Sequence, residues 1–184
     1  MNYLVVSSSL SPKSRSRILA REAFELLKKA GADCEYIDLC DLILPLCDGG
    51  ESYNHPSVKL CCSKIFQAKG ILVATPIYNY SINSALKNLV ELTGENWKEK
   101  VVGFLCAAGG QGSYMSIMGF ANSLMLDFRC VIIPRFLYTT GAAFKNGELV
   151  DDKIRERFQE LTDTLIKFTI QLNSPITFSR PLSV

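Results

Sequence analysis

Short apolar runs alternate with amphipathic helical patterns along this 184-residue chain. Two of the runs, residues 71–74 and 131–133, are apolar at every position and not at alternate positions. Strands of this composition are covered on both faces, as they are in a parallel sheet between two layers of helices. The sequence therefore predicts an α/β fold, a doubly wound five-stranded parallel sheet with helices on both faces.

The predicted elements form one domain over residues 1–172, followed by a loosely ordered tail at 173–184 with two prolines. The strands are predicted at 3–6, 34–37, 71–74, 101–105 and 130–133, and the helices at 14–30, 58–67, 83–92, 114–128 and 151–172. Right-handed crossovers bring the loops after the first, third and fourth strands to the carboxyl edge of the sheet. We expect a ligand crevice at that edge.

Composition excludes several classes of function. The net charge of +2 and the absence of a broad basic run argue against nucleic-acid binding. No apolar stretch approaches the ~20 residues that span a bilayer, so no membrane insertion is predicted. The seven cysteines are odd in number and contain no C-x-x-C pair, which favours free thiols over a metal site or a disulfide framework. Free thiols and the lack of a basic, apolar leader predict a cytoplasmic protein.

The first apolar run leads into a serine-rich, basic segment, residues 7–17, which contains six serines and three basic side chains. No acidic residue lies between Ser11 and Arg21. At the junction of a buried strand and a helix, unpaired N–H groups and the positive end of the helix dipole attract an anion. The segment predicts a phosphate cradle. The alternative is that its serines and proline only cap the helix.

Two further loops follow the third and fourth predicted strands. In the first, at 75–88, Pro76 is expected to stop the strand, and Tyr78 and Tyr80 offer flat faces to a planar heterocycle. Alternatively, the tyrosines pack against the next helix, which Ser81 or Asn83 caps. The second loop, at 107–113, has three glycines in four positions and suits either close approach to a ligand or a plain tight turn. It matches neither the dinucleotide fingerprint nor the Walker loop.

Together the three loops would supply phosphate ligands, an aromatic and amide wall, and backbone that a ligand can approach closely. A phosphorylated planar molecule fits that set, and flavin mononucleotide (FMN) is the obvious candidate. Another phosphorylated metabolite remains the alternative.

The same residues resemble the flavodoxin-like NAD(P)H-dependent FMN reductase family, which includes quinone, chromate and azo-dye reductases. The resemblance runs over about residues 1–172. Residues 8–17 match the family's phosphate loop in length and position, and 109–112 match its third flavin loop. The most specific element is 76–81 followed by 85–88, which matches the isoalloxazine loop.

The resemblance implies that Ser9, Ser14 and Ser16 bind the FMN phosphate, with help from Arg15 or Arg17. By position, the ring is lined by Pro76, Tyr78, Asn79, Tyr80 and Ser81, and its pyrimidine edge by Gly109, Gly110, Gln111 and Gly112. Family members usually have Gly in place of Ser8 and often Arg in place of Ser11. The missing Arg predicts weaker FMN binding unless Lys13 or Arg15 substitutes.

The implied activity is transfer of hydride from NADPH or NADH through FMN to a quinone, a free flavin or a similar small-molecule acceptor. No side chain is required as acid, base or nucleophile, and no metal is expected. His55 is interpreted as a solvated loop residue. The family also implies a homodimer or homotetramer. The alternative function is a flavin-binding electron carrier or sensor without NAD(P)H turnover.

Overall fold

The computed structural model of the protein describes residues 1–174. Residues 175–184 of the predicted tail lie outside the described residues, whereas Asn173 ends the last helix. The described part contains nine strands, which are β1 (Asn2–Ser7), β2 (Asp33–Asp38), β3 (Gly70–Tyr78), β4 (Ser81–Ile82), β5 (Val101–Ala108), β6 (Val131–Ile132), β7 (Leu137–Thr140), β8 (Phe144–Lys145) and β9 (Glu148–Leu149). Its α-helices are α1 (Arg15–Lys29), α2 (Pro56–Gln67), α3 (Ser84–Thr93), α4 (Met118–Phe128) and α5 (Asp152–Asn173).

The central sheet is parallel, as predicted, and its strand order is β2-β1-β3-β5, with β6 and β7 each paired with a different part of the outer side of β5. This is the 2-1-3-4-5 order of flavodoxin-like folds. Helices α1 and α5 cover one face around Leu19 and Phe158, whereas α2, α3 and α4 cover the other around Ile65 and Leu124. The prediction of a doubly wound α/β sandwich is confirmed.

Two predicted elements divide differently in the structure. The outermost position of the sheet holds two short strands, β6 and β7, separated by residues 133–136, and only β6 lies within the predicted strand at 130–133. The predicted helix at 114–128 begins as a 3₁₀ segment over Gln111–Ile117 and becomes α-helical only at Met118. Pro134 and Arg135 interrupt the outer strand, because proline lacks an N–H donor and Arg135 has a φ of 59°, which does not suit a continuous strand.

The prediction that Pro76 stops the third strand is wrong. β3 continues to Tyr78, and Pro76 is paired with Ala107 of β5. Ala74 turns its carbonyl toward β1, where it accepts from Ser8 N–H at 3.0 Å. Pro76, two residues on, turns to the same side, but β1 has ended there, so its missing N–H breaks no ladder bond.

Lys100 is a buried base at the amino edge of the sheet and is 5% exposed. Its Nζ donates to the carbonyl of Phe66 at 2.7 Å. Burial, with a smaller contribution from Lys69, lowers the pKa of Lys100 from 10.5 to about 8. At pH 7 Lys100 is therefore still charged, in surroundings that disfavour the charged form relative to water.

We compare the free energy of unfolding of Lys100→Met with that of wild type at each pH. We expect this difference to favour the variant more at pH 7 than at high pH. The penalty is fully present below pH 8 and disappears toward pH 10.5, because the folded-state pKa lies below the unfolded value. The difference between variant and wild type should therefore fall by up to about 3 kcal/mol between pH 7 and about pH 10 in urea titrations. Lys98→Met, an exposed control paired with Glu95, should show no such trend. A constant difference across this range would contradict the assignment.

Among residues 1–174, no helix is long and apolar enough to cross a membrane. The same residues contain no group of three or more His, Cys, Asp or Glu side chains arranged to hold a metal ion.

Candidate functional site

A cleft of about 660 Å³ opens at the carboxyl edge of the sheet. It is bounded by the segment after β1 and by the ends of β3 and β5, the three positions that the sequence analysis expected to meet. The lining residues are Ser11, Lys13, Ser14, Arg15, Ser16, Pro76, Ile77, Tyr78, Asn79, Ala107, Ala108 and Gly109. Its volume lies within the range of small-molecule sites.

The amino end of α1 forms the polar wall of the cleft. Ser14 is the N-cap, and its Oγ accepts from the N–H of Arg17 at 3.4 Å and contacts Ser16 Oγ at 2.8 Å. The first-turn N–H groups of Arg15 and Ser16 have no carbonyl within the helix to bind. Lys13 and Arg15 supply positive charge, and no acidic side chain is among the described lining residues. This end of the cleft is suited to a phosphate group.

Arg17 lies behind the loop and not in the cleft, so the structure does not place its guanidinium against the phosphate. Nη2 donates to Asp38 Oδ1 at 3.1 Å and to the carbonyl of Ser9 at 2.8 Å, and Nη1 donates to the carbonyl of Ser11. The ion pair with Asp38 is buried, with side-chain exposures of 9% and 4%. Hydrogen bonding to Asp38 raises the pKa of Arg17 further above its ordinary value. Arg17 thus fixes the conformation of the serine loop from the side that faces away from the cleft.

A second buried network joins the serine loop to β3. Asn83 Nδ2 donates to the carbonyl of Ser8 at 2.7 Å, and Asn83 Oδ1 accepts from Ser8 Oγ at 2.9 Å and Thr75 Oγ1 at 3.2 Å. Asn83 is the N-cap of α3 by position but makes no capping bond with its side chain. Ser9 is also buried, at 1% exposure, and its Oγ accepts from Ser11 N–H. The hydroxyl of Ser8 is therefore accommodated by Asn83.

The expected aromatic loop is a tight β-hairpin between β3 and β4. Tyr78 pairs with Ser81, and the two central residues, Asn79 and Tyr80, have φ of 50° and 60°. Positive φ at both positions is typical of a type I′ turn, and it is unusual for tyrosine. The tyrosines are 53% and 73% exposed. The alternative that they pack against the following helix is wrong, because the turn directs them outward.

The glycine segment provides open backbone next to the cleft. A Cβ atom added to Gly109 or Gly110 would meet no atom within 4 Å, so both positions face empty space. Gly110 and Gly112 line an adjoining hollow of about 290 Å³ together with Tyr80. The hydroxyl of Tyr138 donates to the carbonyl of Gly110 and lies 2.7 Å from Ser113 Oγ, which holds the segment against β7.

The structure thus brings most of the predicted binding residues together. Those that line the cleft are Ser14, Arg15, Ser16, Pro76, Tyr78, Asn79 and Gly109, and those in the adjoining hollow are Tyr80, Gly110 and Gly112. Four predicted residues line neither: Ser9, Arg17, Ser81 and Gln111. Ile77 and the pair Ala107 and Ala108 were missed because they belong to β3 and β5, which run further than their apolar patterns indicated.

None of the described residues that line the cleft is a cysteine or a histidine. His55 caps α2, where its Nδ1 accepts from the N–H of Ser57 at 3.2 Å, so it is a helix cap and not a simple loop residue. Burial raises the pKa of Cys34 to about 12 and that of Cys130 to about 11. These thiols therefore stay protonated at neutral pH, and neither of them lines the cleft.

Comparisons with known proteins agree with this geometry. Residues 1–144 match the model of a family described as NADPH-dependent FMN reductase. An NAD(P)H-dependent FAD/FMN reductase of Geobacillus thermodenitrificans (strain NG80-2) is 31% identical over 146 residues, covering 77% of this chain and 78% of that protein. An NADPH:quinone oxidoreductase of Arabidopsis thaliana is 30% identical over 181 residues, covering 91% of each.

A solved structure is also similar. The apo form of an NADH:FMN oxidoreductase superposes with a TM-score of 0.76 at 18% identity, covering 95% of this chain and 91% of that one. At this identity the likeness shows a shared fold.

Proposed function

The chain belongs to the NADPH-dependent FMN reductase family, and from that premise we propose which of its residues bind FMN and admit the two substrates. It is an oxidoreductase that uses NAD(P)H and FMN to reduce a quinone or a flavin. The observation that carries the assignment of the site is the cleft at the end of β1, β3 and β5, with its basic polar wall at α1.

The described residues fit FMN at both ends of the cleft. At the polar end, Ser14 Oγ, the free N–H groups of the first turn of α1, and the charges of Lys13 and Arg15 would hold the phosphate. At the other end, Pro76, Tyr78 and Asn79 would line the ring. Gly109 has no side chain, and a Cβ atom at this position would extend into the empty space that we assign to the ligand. Ser16 supports Ser14 from a buried position.

Bound FMN would supply the hydride-transfer chemistry between the nicotinamide and the acceptor. The chain's own residues act by binding and by shaping access. The hairpin at 78–81 keeps Tyr78 and Tyr80 exposed on the outer side of the cleft, where a planar substrate can lie against them. Because no titratable side chain other than Lys13, Arg15 and Tyr78 lines the cleft among the described residues, the proton balance falls to solvent and to the substrates.

The first test is the visible absorption spectrum of the purified protein with added FMN, followed by anaerobic addition of NADPH and then NADH. We expect flavin bands that shift on binding and bleach with one or both reductants, and a quinone or free flavin that restores them. FMN that binds but is bleached by neither reductant would instead favour the carrier or sensor. Failure to bind FMN at any concentration would contradict the assignment of the cleft.

We further propose a homodimer or homotetramer in the cytoplasm. Support for assembly comes from exposed apolar side chains on the segment after β5, including Met115 at 62% and Leu126 at 84%. Support for the location comes from the seven free cysteines, which suit a reducing compartment. Sedimentation velocity that shows only monomer at all concentrations would dismiss the assembly.

A further inference from the structure

A second large cavity, of about 530 Å³, lies beside the outer strand of the sheet. It is formed by residues 133–136, which separate β6 from β7, and by α5. We call it the edge cavity. It lies outside the flavin cleft, and the two share no lining residue among those described.

The edge cavity contains three kinds of group, which are aromatic, cationic and acidic. Its aromatic wall is Tyr114, which stacks on Phe136 at a centroid distance of 4.8 Å and remains 43% exposed. Its cations are Arg135 and Arg157, which form no ion pair or hydrogen bond with any described residue. Its acceptors are the carboxylates of Glu160 and Asp163.

These groups match the parts of a nucleoside phosphate. An exposed tyrosine face suits stacking of a planar base, and two free guanidinium groups suit phosphate oxygens. Carboxylates accept hydrogen bonds from ribose hydroxyls, as an acidic residue does in dinucleotide-binding folds. The net charge of the four ionic side chains is zero, so a simple anion such as inorganic phosphate is not what the cavity is built to select.

The edge cavity is also linked to the flavin cleft. Tyr114 directly follows Ser113, which lines the hollow that adjoins the cleft. Tyr114 packs edge-on against Tyr138 at 5.4 Å, and the Tyr138 hydroxyl bonds to the glycine segment. From Phe136 to Thr140 at the carboxyl edge, the extended strand rises about 13 Å. The cavity thus lies a short distance along the sheet edge from the expected ring site.

From this arrangement we propose that the edge cavity binds the nucleoside-phosphate end of the nicotinamide dinucleotide. The inference rests on the proposed function, since it takes the dinucleotide as the reductant. Arg135 and Arg157 bind the phosphates on the adenosine side, Tyr114 stacks on the base, and the nicotinamide end extends toward the hollow at Gly110 and Gly112.

The first test is direct binding of ADP and of 2′,5′-ADP, measured by calorimetry on the full chain, with FMN present and absent. The test variant is Arg135→Asn with Arg157→Gln. Asn is chosen because Arg135 has a φ of 59°, which Asn tolerates. We expect at least one probe to bind wild type and to bind the variant about tenfold more weakly or worse. Absence of binding to wild type would overturn the proposal.

The second test separates the inference from the proposed function. Reduced nicotinamide mononucleotide carries the same hydride but lacks the adenosine phosphate. In the double variant we expect KM for NADPH or NADH to rise about tenfold or more, with kcat and the KM for the mononucleotide unchanged. The matched control, Arg129→Asn with Lys167→Gln, removes two charges from exposed positions, one also at positive φ, and should change neither KM.

An unchanged KM for the dinucleotide in an active double variant would overturn the edge cavity as its site. Absence of turnover in wild type with every reductant would instead contradict the proposed function. The calorimetry would still decide whether the edge cavity binds a nucleoside phosphate.

Discussion

Replacing Arg17 with Met is expected to lower the free energy of unfolding by about 3–5 kcal/mol, because it leaves the carboxylate of Asp38 buried without its partner. The same change frees the carbonyls of Ser9 and Ser11. The phosphate end of the cleft then loses its fixed shape, so the Kd for FMN should rise about tenfold or more. The Kd for riboflavin, which has no phosphate, should change little. Urea titration and quenching of flavin fluorescence measure the two effects.

A second variant separates stability from loop position. Arg17→Met with Asp38→Asn removes the unpaired charge but keeps an acceptor for the N–H of Cys40. We expect much of the lost stability to return while FMN affinity stays low, because Ser9 and Ser11 still lack the guanidinium. Recovery of FMN affinity together with stability would show that Arg17 acts on the fold alone. Lys64→Met, which breaks the more exposed pair with Glu35, is the control and should cost about 1 kcal/mol or less.

Replacement of Ser14 and Ser16 by Ala together should weaken FMN binding by about 10- to 100-fold. Ser14 is placed to donate to the phosphate, and a hydrogen bond to a charged group contributes about 1.5–3 kcal/mol. Ser16 holds the Ser14 hydroxyl at 2.8 Å. Riboflavin affinity should be unchanged, so the preference for FMN over riboflavin should fall by the same factor of about 10 to 100. Fluorescence titration of both ligands gives that preference.

The same double variant loses the N-cap of α1 and should be destabilised by about 1 kcal/mol. Asp151→Ala is a matched control, because Asp151 caps α5 by accepting from the N–H of Ile154 at 3.1 Å. It should show the same loss of stability with both flavin affinities intact. An FMN affinity in the serine variant equal to that of the control would remove the phosphate assignment.

The residues of the serine loop show how far sequence reasoning reached. Ser14 and Arg15 line the cleft at the strand-to-helix junction, where the sequence pattern predicts a phosphate cradle. Arg17 was assigned to the same ligand by its charge and position, although its side chain lies on the inner side of α1. The decisive partner, Asp38, is 21 residues away on β2. Nothing in the local pattern distinguishes a base that binds a ligand from one that binds a distant carboxylate.

Other differences have the same origin. Asn83 was considered a helix cap, but its side chain is used by Ser8, 75 residues earlier. Pro76 was expected to end β3, but β1 ends first and leaves its position free of a ladder bond. The edge cavity combines residues 133–136 with α5, which no motif connects.

The sequence alone determined the fold class and the edge of the sheet at which the ligand loops meet. These depend on local apolar periodicity and on the handedness of the chain, which act over short distances. Tertiary structure decided which side chains face the cleft, which brace it from behind, and where β3 and the outer strand end. Those outcomes depend on pairing between residues far apart in the chain, and the physical reason is burial: a buried charge or amide must find a partner wherever the fold brings one.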